Sequence, residues 1–77
     1  MKKIIQVSPL EGKEVSVTFS DGMSGIFDVT PFIRGDFFSR LQDDNYFKQV
    51  RLFFIGIGWP EGQDIGPDTI EADLRPH

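Results

Sequence analysis

Cysteine is absent, and histidine occurs once, as the last residue. The first absence removes disulfides and thiolate metal ligands from consideration and suits a reducing compartment. The second leaves nucleophilic catalysis without an internal imidazole base, because a triad built on His77 would stand on a chain end. No apolar run approaches the length of a bilayer span. Met1-Lys2-Lys3 resembles the basic start of a signal peptide, but Gln6, Ser8 and Pro9 interrupt the apolar core that should follow. These features place the chain in the cytoplasm, without a membrane. Positive charge is also thin. Lys2, Lys3 and Lys13 are the nearest thing to a basic stripe, too little to neutralise a run of phosphates, so no direct contact with nucleic acid is expected.

What is present is aromatic bulk. Eight Phe, one Trp and one Tyr in 77 residues give a short chain the means to bury area efficiently. The length allows one domain, spanning residues 1–77. So small a domain is marginal without staples, and a second copy of the chain is one candidate for completing its core. The net charge of −4 is unevenly placed. Residues 61–77 hold Glu61, Asp64, Asp68, Glu71 and Asp73 against Arg75 alone, whereas residues 1–60 hold seven bases and seven acids.

Hydrophobic periodicity predicts an α+β fold: a small antiparallel sheet built on a Val15–Val29 hairpin, with short helices packed on it. Ile4, Ile5 and Val7 form a first strand that Pro9 ends. Val15, Val17 and Phe19 then alternate with Ser16, Thr18 and Ser20, which marks a half-buried strand. Asp21-Gly22 follows as a hairpin signal. A two-residue turn would set Val15 opposite Asp28 and waste the apolar face. A three-residue loop, Ser20-Asp21-Gly22, sets Val15 opposite Phe27, Val17 opposite Gly25 and Phe19 opposite Met23. It requires Gly22 in the left-handed region, and Met23 joins the buried face.

Thr30-Pro31 opens a helical turn that Gly35 stops. Asp36 caps a short helix with Phe37, Phe38 and Leu41 inward, and Asp43 opens another turn carrying Tyr46, Phe47 and Val50. The nearly continuous apolar run Arg51–Trp59 reads as one central strand covered on both faces, with Gly56 and Gly58 allowing close packing. Trp59-Pro60-Glu61-Gly62 is a turn. Gln63-Asp64-Ile65 adds a short paired strand, and Pro67 starts a last helix with Asp68 in its first turn. Arg75-Pro76-His77 frays.

Two constellations remain as candidates for function. Trp59, Pro60 and Gly62 set a ring beside an exposed turn, and Asp64, Asp68 and Glu71 continue an acidic face, so this end is the candidate partner-binding surface. Trp59 has a competing role as a core cap whose N–H meets a loop carbonyl. Asp64, Asp68 and Glu71 are also the weak candidates for a magnesium or calcium site, although their spacing matches no calcium loop. Asp21, Gly22, Phe27, Pro31 and Pro67 read as structural. No catalytic residue and no cofactor is assigned.

The runs Phe19-x-Asp21-Gly22, Ile26-Phe27-Asp28-Val29-x-Pro31-Phe32 and Trp59-Pro60-x-Gly62-x-Asp64-Ile65-x-Pro67-Asp68-Thr69 form a recognisable pattern. It resembles the small prokaryotic family catalogued as domain of unknown function 2442, similar to the N-terminal domain of a Nitrosomonas two-domain protein. The resemblance implies an α+β fold. Members occur alone or joined to a helix-turn-helix domain, which nothing after Ile70 supplies here. Many resemble the second partner of a two-gene unit, an arrangement like that of toxin–antitoxin pairs. The expectation is a non-enzymatic binding or regulatory module that docks a protein, the adjacent gene product. The alternative is a small metal-dependent enzyme built on the C-terminal carboxylates.

Overall fold

In the computed structural model, which describes residues 2–77, the alternating pattern becomes a meander. Strands β1 (Ile4–Leu10), β2 (Glu14–Phe19) and β3 (Ser24–Asp28) form one antiparallel sheet in the order β1-β2-β3. The β2–β3 register is the one the apolar pattern demands: Val15 faces Phe27 and Val17 faces Gly25. The Phe19 N–H donates to the Met23 carbonyl at 2.7 Å across the loop. Gly22 sits at φ +93°, a conformation glycine adopts without a Cβ penalty. Asp21 fixes the loop by accepting from the Met23 N–H at 3.0 Å. Met23 itself departs from expectation. Its side chain lies past the last ladder pair and is left partly in solvent.

β1 runs through Pro9 to Leu10 instead of ending before it. Pro9 pairs with Val15. The Val15 amide points the same way as that of Phe19, toward β3, so Pro9's missing donor costs the ladder nothing and falls on the outer edge.

A 3-10 turn at Thr30–Phe32 carries Pro31 in its first positions, and the Asp28 carboxylate accepts from the Thr30 N–H at 2.9 Å. Helix α1 (Gly35–Phe38) begins one residue before Asp36, which therefore lies inside it and does not cap it. Phe37 points outward and is exposed, against the inward expectation, while Leu41 in the following 3-10 turn is buried. Asp43 caps α2 (Asp44–Phe47) as expected, accepting from the Asn45 and Tyr46 N–H groups.

The largest departure is at Arg51–Trp59. The run is two strands, β4 (Arg51–Phe53) and β5 (Gly56–Gly58), joined by a two-residue turn at Phe54-Ile55. β6 (Asp64–Ile65) completes a second antiparallel sheet in the order β4-β5-β6. The two glycines of β5 let its neighbours close in on both sides: a Cβ at Gly56 would lie 2.3 Å from the Ile65 carbonyl oxygen of β6, and one at Gly58 would lie 2.8 Å from the Phe53 Cβ of β4. The turn then lifts Phe54 out of the core, and the central, covered character expected of the whole run holds for β5 alone, the middle strand of this sheet with all three residues buried. The two sheets meet where the Ile4 N–H donates to the Ile55 carbonyl at 2.9 Å.

Helix α3 (Pro67–Ala72) starts at Pro67 with no side-chain cap. Beyond it the chain does not fray. Arg75 and Ile26 exchange backbone hydrogen bonds at 2.8 Å each, closing the free edge of β3. His77 Nε2 lies 3.0 Å from the Ser16 hydroxyl. One buried cluster joins these parts: Val15, Val17, Phe19 and Phe27 from the first sheet, Leu41 and Phe47 from the helical segment, Ile57, Trp59 and Ile65 from the second sheet, and Ile70 from α3. Among the described residues, no helix is long and apolar enough to cross a membrane.

Candidate functional site

The Trp59–Asp64 loop is built from the inside. Trp59 is fully buried, and its indole N–H donates to the Phe47 carbonyl at 2.9 Å. Its ring packs on that of Phe47 with centroids 5.7 Å apart. Of the two readings of Trp59, the core cap whose N–H meets a carbonyl is the one the structure bears out, and its place on a partner-binding surface is corrected, since the ring has no face to offer. Its backbone N–H donates to the Gln63 carbonyl and its own carbonyl accepts from the Gly62 N–H, which closes the turn.

Gln63 decides the loop's shape. It is the one buried polar side chain among the described residues. Its oxygen accepts from the Tyr46 hydroxyl at 2.8 Å, and its amide donates to the Phe37 carbonyl at 2.8 Å. The Tyr46 hydroxyl in turn accepts from the Glu61 N–H at 2.9 Å. Above it, the Arg40 guanidinium lies 4.4 Å from the Tyr46 ring centroid and pairs with Glu61 at 3.0 Å. The network is fully satisfied, and it binds the loop to α1 and α2.

On the outer side of this loop Pro60, Gly62 and Asp64 are exposed, as are Asp68 and Glu71 beyond it. Asp64 lies on β6 and Asp68 in the first turn of α3. Glu71 pairs with Lys2 at 2.7 Å, and Lys2 also reaches Asp21 at 3.2 Å. These contacts push the Lys2 ammonium above its ordinary pKa, the Glu71 hydrogen bond contributing most. Asp64, Asp68 and Glu71 are not brought together. Among the described residues, no group of three His, Cys, Asp or Glu side chains stands close enough to share a metal ion. Lys13, the third lysine of the thin basic stripe, is paired to Asp44 and lies over the Phe47 ring. That pair forms one wall of a cleft of about 600 Å³ between the β1–β2 turn and α2, and its charges answer each other.

The chain's overt anomaly lies elsewhere. Phe54, at the tip of the β4–β5 hairpin, is 88% exposed and has φ +53°. A bulky residue in the left-handed region is a true outlier, costing on the order of 1–3 kcal/mol. An exposed Phe also forgoes the roughly 1.5–3 kcal/mol that burial would bring. Leu52 and Ile55 beside it are partly exposed, as is Ile5 on the adjoining strand, next to the Ile4–Ile55 hydrogen bond. Four large apolar side chains thus emerge at one end of the molecule. Sequence reasoning missed this end because it placed all of Arg51–Trp59 inside.

A family model described as a protein of unknown function (DUF2442) matches residues 4–76. The chain belongs to that family. Among curated proteins and among solved structures, none matches it significantly. For this DUF2442 member, the Trp59–Asp64 loop is thus explained by its buried network, and the hairpin tip joins the greatest exposure of a large apolar side chain among the described residues to a positive φ.

Proposed function

We propose that this DUF2442 chain is a non-catalytic docking module for a protein partner. In this reading it serves in the cytoplasm as an antitoxin-like or regulatory subunit beside the product of an adjacent gene. Its contact surface is the β4–β5 tip, not the Trp59–Asp73 end. The observation that carries the reading is Phe54, which holds a strained backbone and a solvent-facing ring at once. Folding alone does not favour that combination, whereas a partner that buries the ring offsets its cost.

The test is site-specific photo-cross-linking in cells that also express the adjacent gene product. A cross-linking amino acid is placed at position 54 in one variant and at exposed Asp68 in another. The reading predicts a heterologous adduct from position 54 and none from position 68. No adduct from position 54, or an adduct from position 68 alone, overturns it.

A further inference from the structure

The tail of the chain occupies a strand edge that it fills only in part. Arg75 and Ile26 exchange both backbone hydrogen bonds at 2.8 Å, so the Ile26 N–H and C=O point away from β2. Alternation along the strand makes Ser24 and Asp28, two residues to either side, face the same way. Among the described residues no backbone group meets either of them there. His77, the next tail residue to face the edge after Arg75, makes its contact through its ring, 3.0 Å from the Ser16 hydroxyl. Gly25 is what admits a chain this close. A Cβ there would lie 2.3 Å from the Arg75 carbonyl oxygen and 2.8 Å from the Leu74 Cγ. The edge is also acidic. Glu14 and Asp28 stand opposite each other across β2 and β3, an unfavourable like-charge pair. Arg75 answers Glu14, and among the described residues no cation pairs with Asp28.

We infer that the edge of β3 is a strand-addition site, closed by the chain's own tail until an extended segment of a partner protein, of the pattern base–apolar–base, displaces it. The tail shows what fits. Leu74 packs at Gly25 and the next residue, Arg75, pairs with Glu14, so alternate positions are read as apolar and basic. An incoming segment keeps both contacts, sets a second base on Asp28, and gains the backbone bonds of Ser24 and Asp28 that the tail leaves unmade. Main-chain bonds then supply affinity and the alternate side chains selectivity. Displacement costs little, because the tail is held by two backbone bonds, a half-buried leucine and an ion pair at the surface. The net charge of −4 favours a basic segment over an acidic one. The tail of a second copy is a poorer occupant, since Asp73 stands before its Leu74 where the pattern needs a base. β3 is the margin of the first sheet away from β1, where that sheet meets the second, so this site and the docking function of the β4–β5 tip fail separately.

The probe is a pair of short synthetic peptides, one built around Lys-Leu-Arg and one around Glu-Leu-Glu, with Thr and Val flanks. Each is added to the isotope-labelled full chain, and amide hydrogen exchange is followed residue by residue. With the Lys-Leu-Arg peptide the Arg75 amide should lose protection, the Ser24 and Asp28 amides should gain it, and Ile26 should keep it. That signature belongs to the exchange of one strand for another, because simple loosening of the tail would free Ile26 as well. The Glu-Leu-Glu peptide should change none of them. Arg75→Glu sets another acid beside Glu14 at an exposed position, and a melt shows whether its fold is intact. It weakens the hold of the tail and should raise the affinity for the basic peptide about threefold or more. Glu14→Gln/Asp28→Asn should lower that affinity about threefold and reduce its salt dependence. Unchanged protection at Arg75 under millimolar Lys-Leu-Arg peptide overturns the inference, as does equal binding of the two peptides or no gain with Arg75→Glu. Loss of Arg75 protection with rising protein concentration and no peptide also overturns it, by making a second copy the occupant. Cross-linking from position 54 is untouched by any of these results and decides the docking function by itself.

Discussion

Tyr46 gives its phenolic proton to the side-chain oxygen of Gln63 at 2.8 Å, in a site closed to water. The bond joins α2 to the loop that follows Trp59, and Gln63 continues it to the Phe37 carbonyl. Replacing Gln63 by Leu strands the Tyr46 hydroxyl and that carbonyl together. An unsatisfied buried group costs about 1–3 kcal/mol, so Gln63→Leu should lower stability by roughly 2–4 kcal/mol. Tyr46→Phe should cost less alone. The double variant should cost less than the two singles added, which urea melts of the four proteins measure.

Gly22 carries the hairpin loop at φ +93° with open space where a Cβ would point. Strain is then the whole penalty of a substitution, with no clash added. Gly22→Val should destabilise by roughly 1–2 kcal/mol, and Gly22→Asn by distinctly less, because Asn tolerates the left-handed region. Equal losses for the two would contradict a backbone origin.

The C-terminal residues close the edge of β3 through the Arg75–Ile26 exchange, and Arg75 also pairs with Glu14. Removing residues 75–77 should cost about 1–2 kcal/mol, as expected for two backbone hydrogen bonds. It should also release the Ile26 amide to hydrogen exchange. An Ile26 amide still protected in the truncated chain would show that the strap adds nothing.

Two carboxylates give the domain an acid limit. The Met23 N–H, followed by Lys2, holds Asp21 below the ordinary carboxylate range, and the Lys13 ammonium does the same for Asp44. A carboxylate whose pKa is lower in the folded state stabilises above its unfolded pKa and loses that contribution as pH falls through the folded value. Stability should therefore decline below about pH 4. Asp44→Asn should be less stable than wild type at pH 7, and the two should converge as the pH falls through the lowered Asp44 pKa. Both groups are exposed, so added salt should narrow the difference.

The first hairpin was legible because its apolar residues alternate with period two and only one register places Val15 against Phe27. The helical turns were legible from Pro31, Asp43 and Pro67. The second hairpin was not. Phe54-Ile55 has no turn chemistry, and an apolar run does not distinguish one buried strand from two short ones folded back. Gly56 inside the run was the available signal, since a glycine in a strand marks a bend or a close approach. The same misreading hid the exposed tip and left the acidic end as the only visible candidate surface. Trp59 reads both as part of that surface and as a core cap, because a turn beside a ring reads alike whether the ring faces out or in. Its orientation depends on Phe47, twelve residues away.

The most direct measurement of the central claim, that Phe54 is held for a partner and not for the fold, pairs urea denaturation of Phe54→Gly with capture of the adjacent gene product by the same protein. Glycine relieves the left-handed strain of about 1–2 kcal/mol and returns roughly 0.5–1 kcal/mol of it as chain entropy. The account predicts stability equal to wild type or higher by up to about 1 kcal/mol, together with loss of binding. A variant destabilised by more than about 1 kcal/mol, or one that binds as well as wild type, would contradict it.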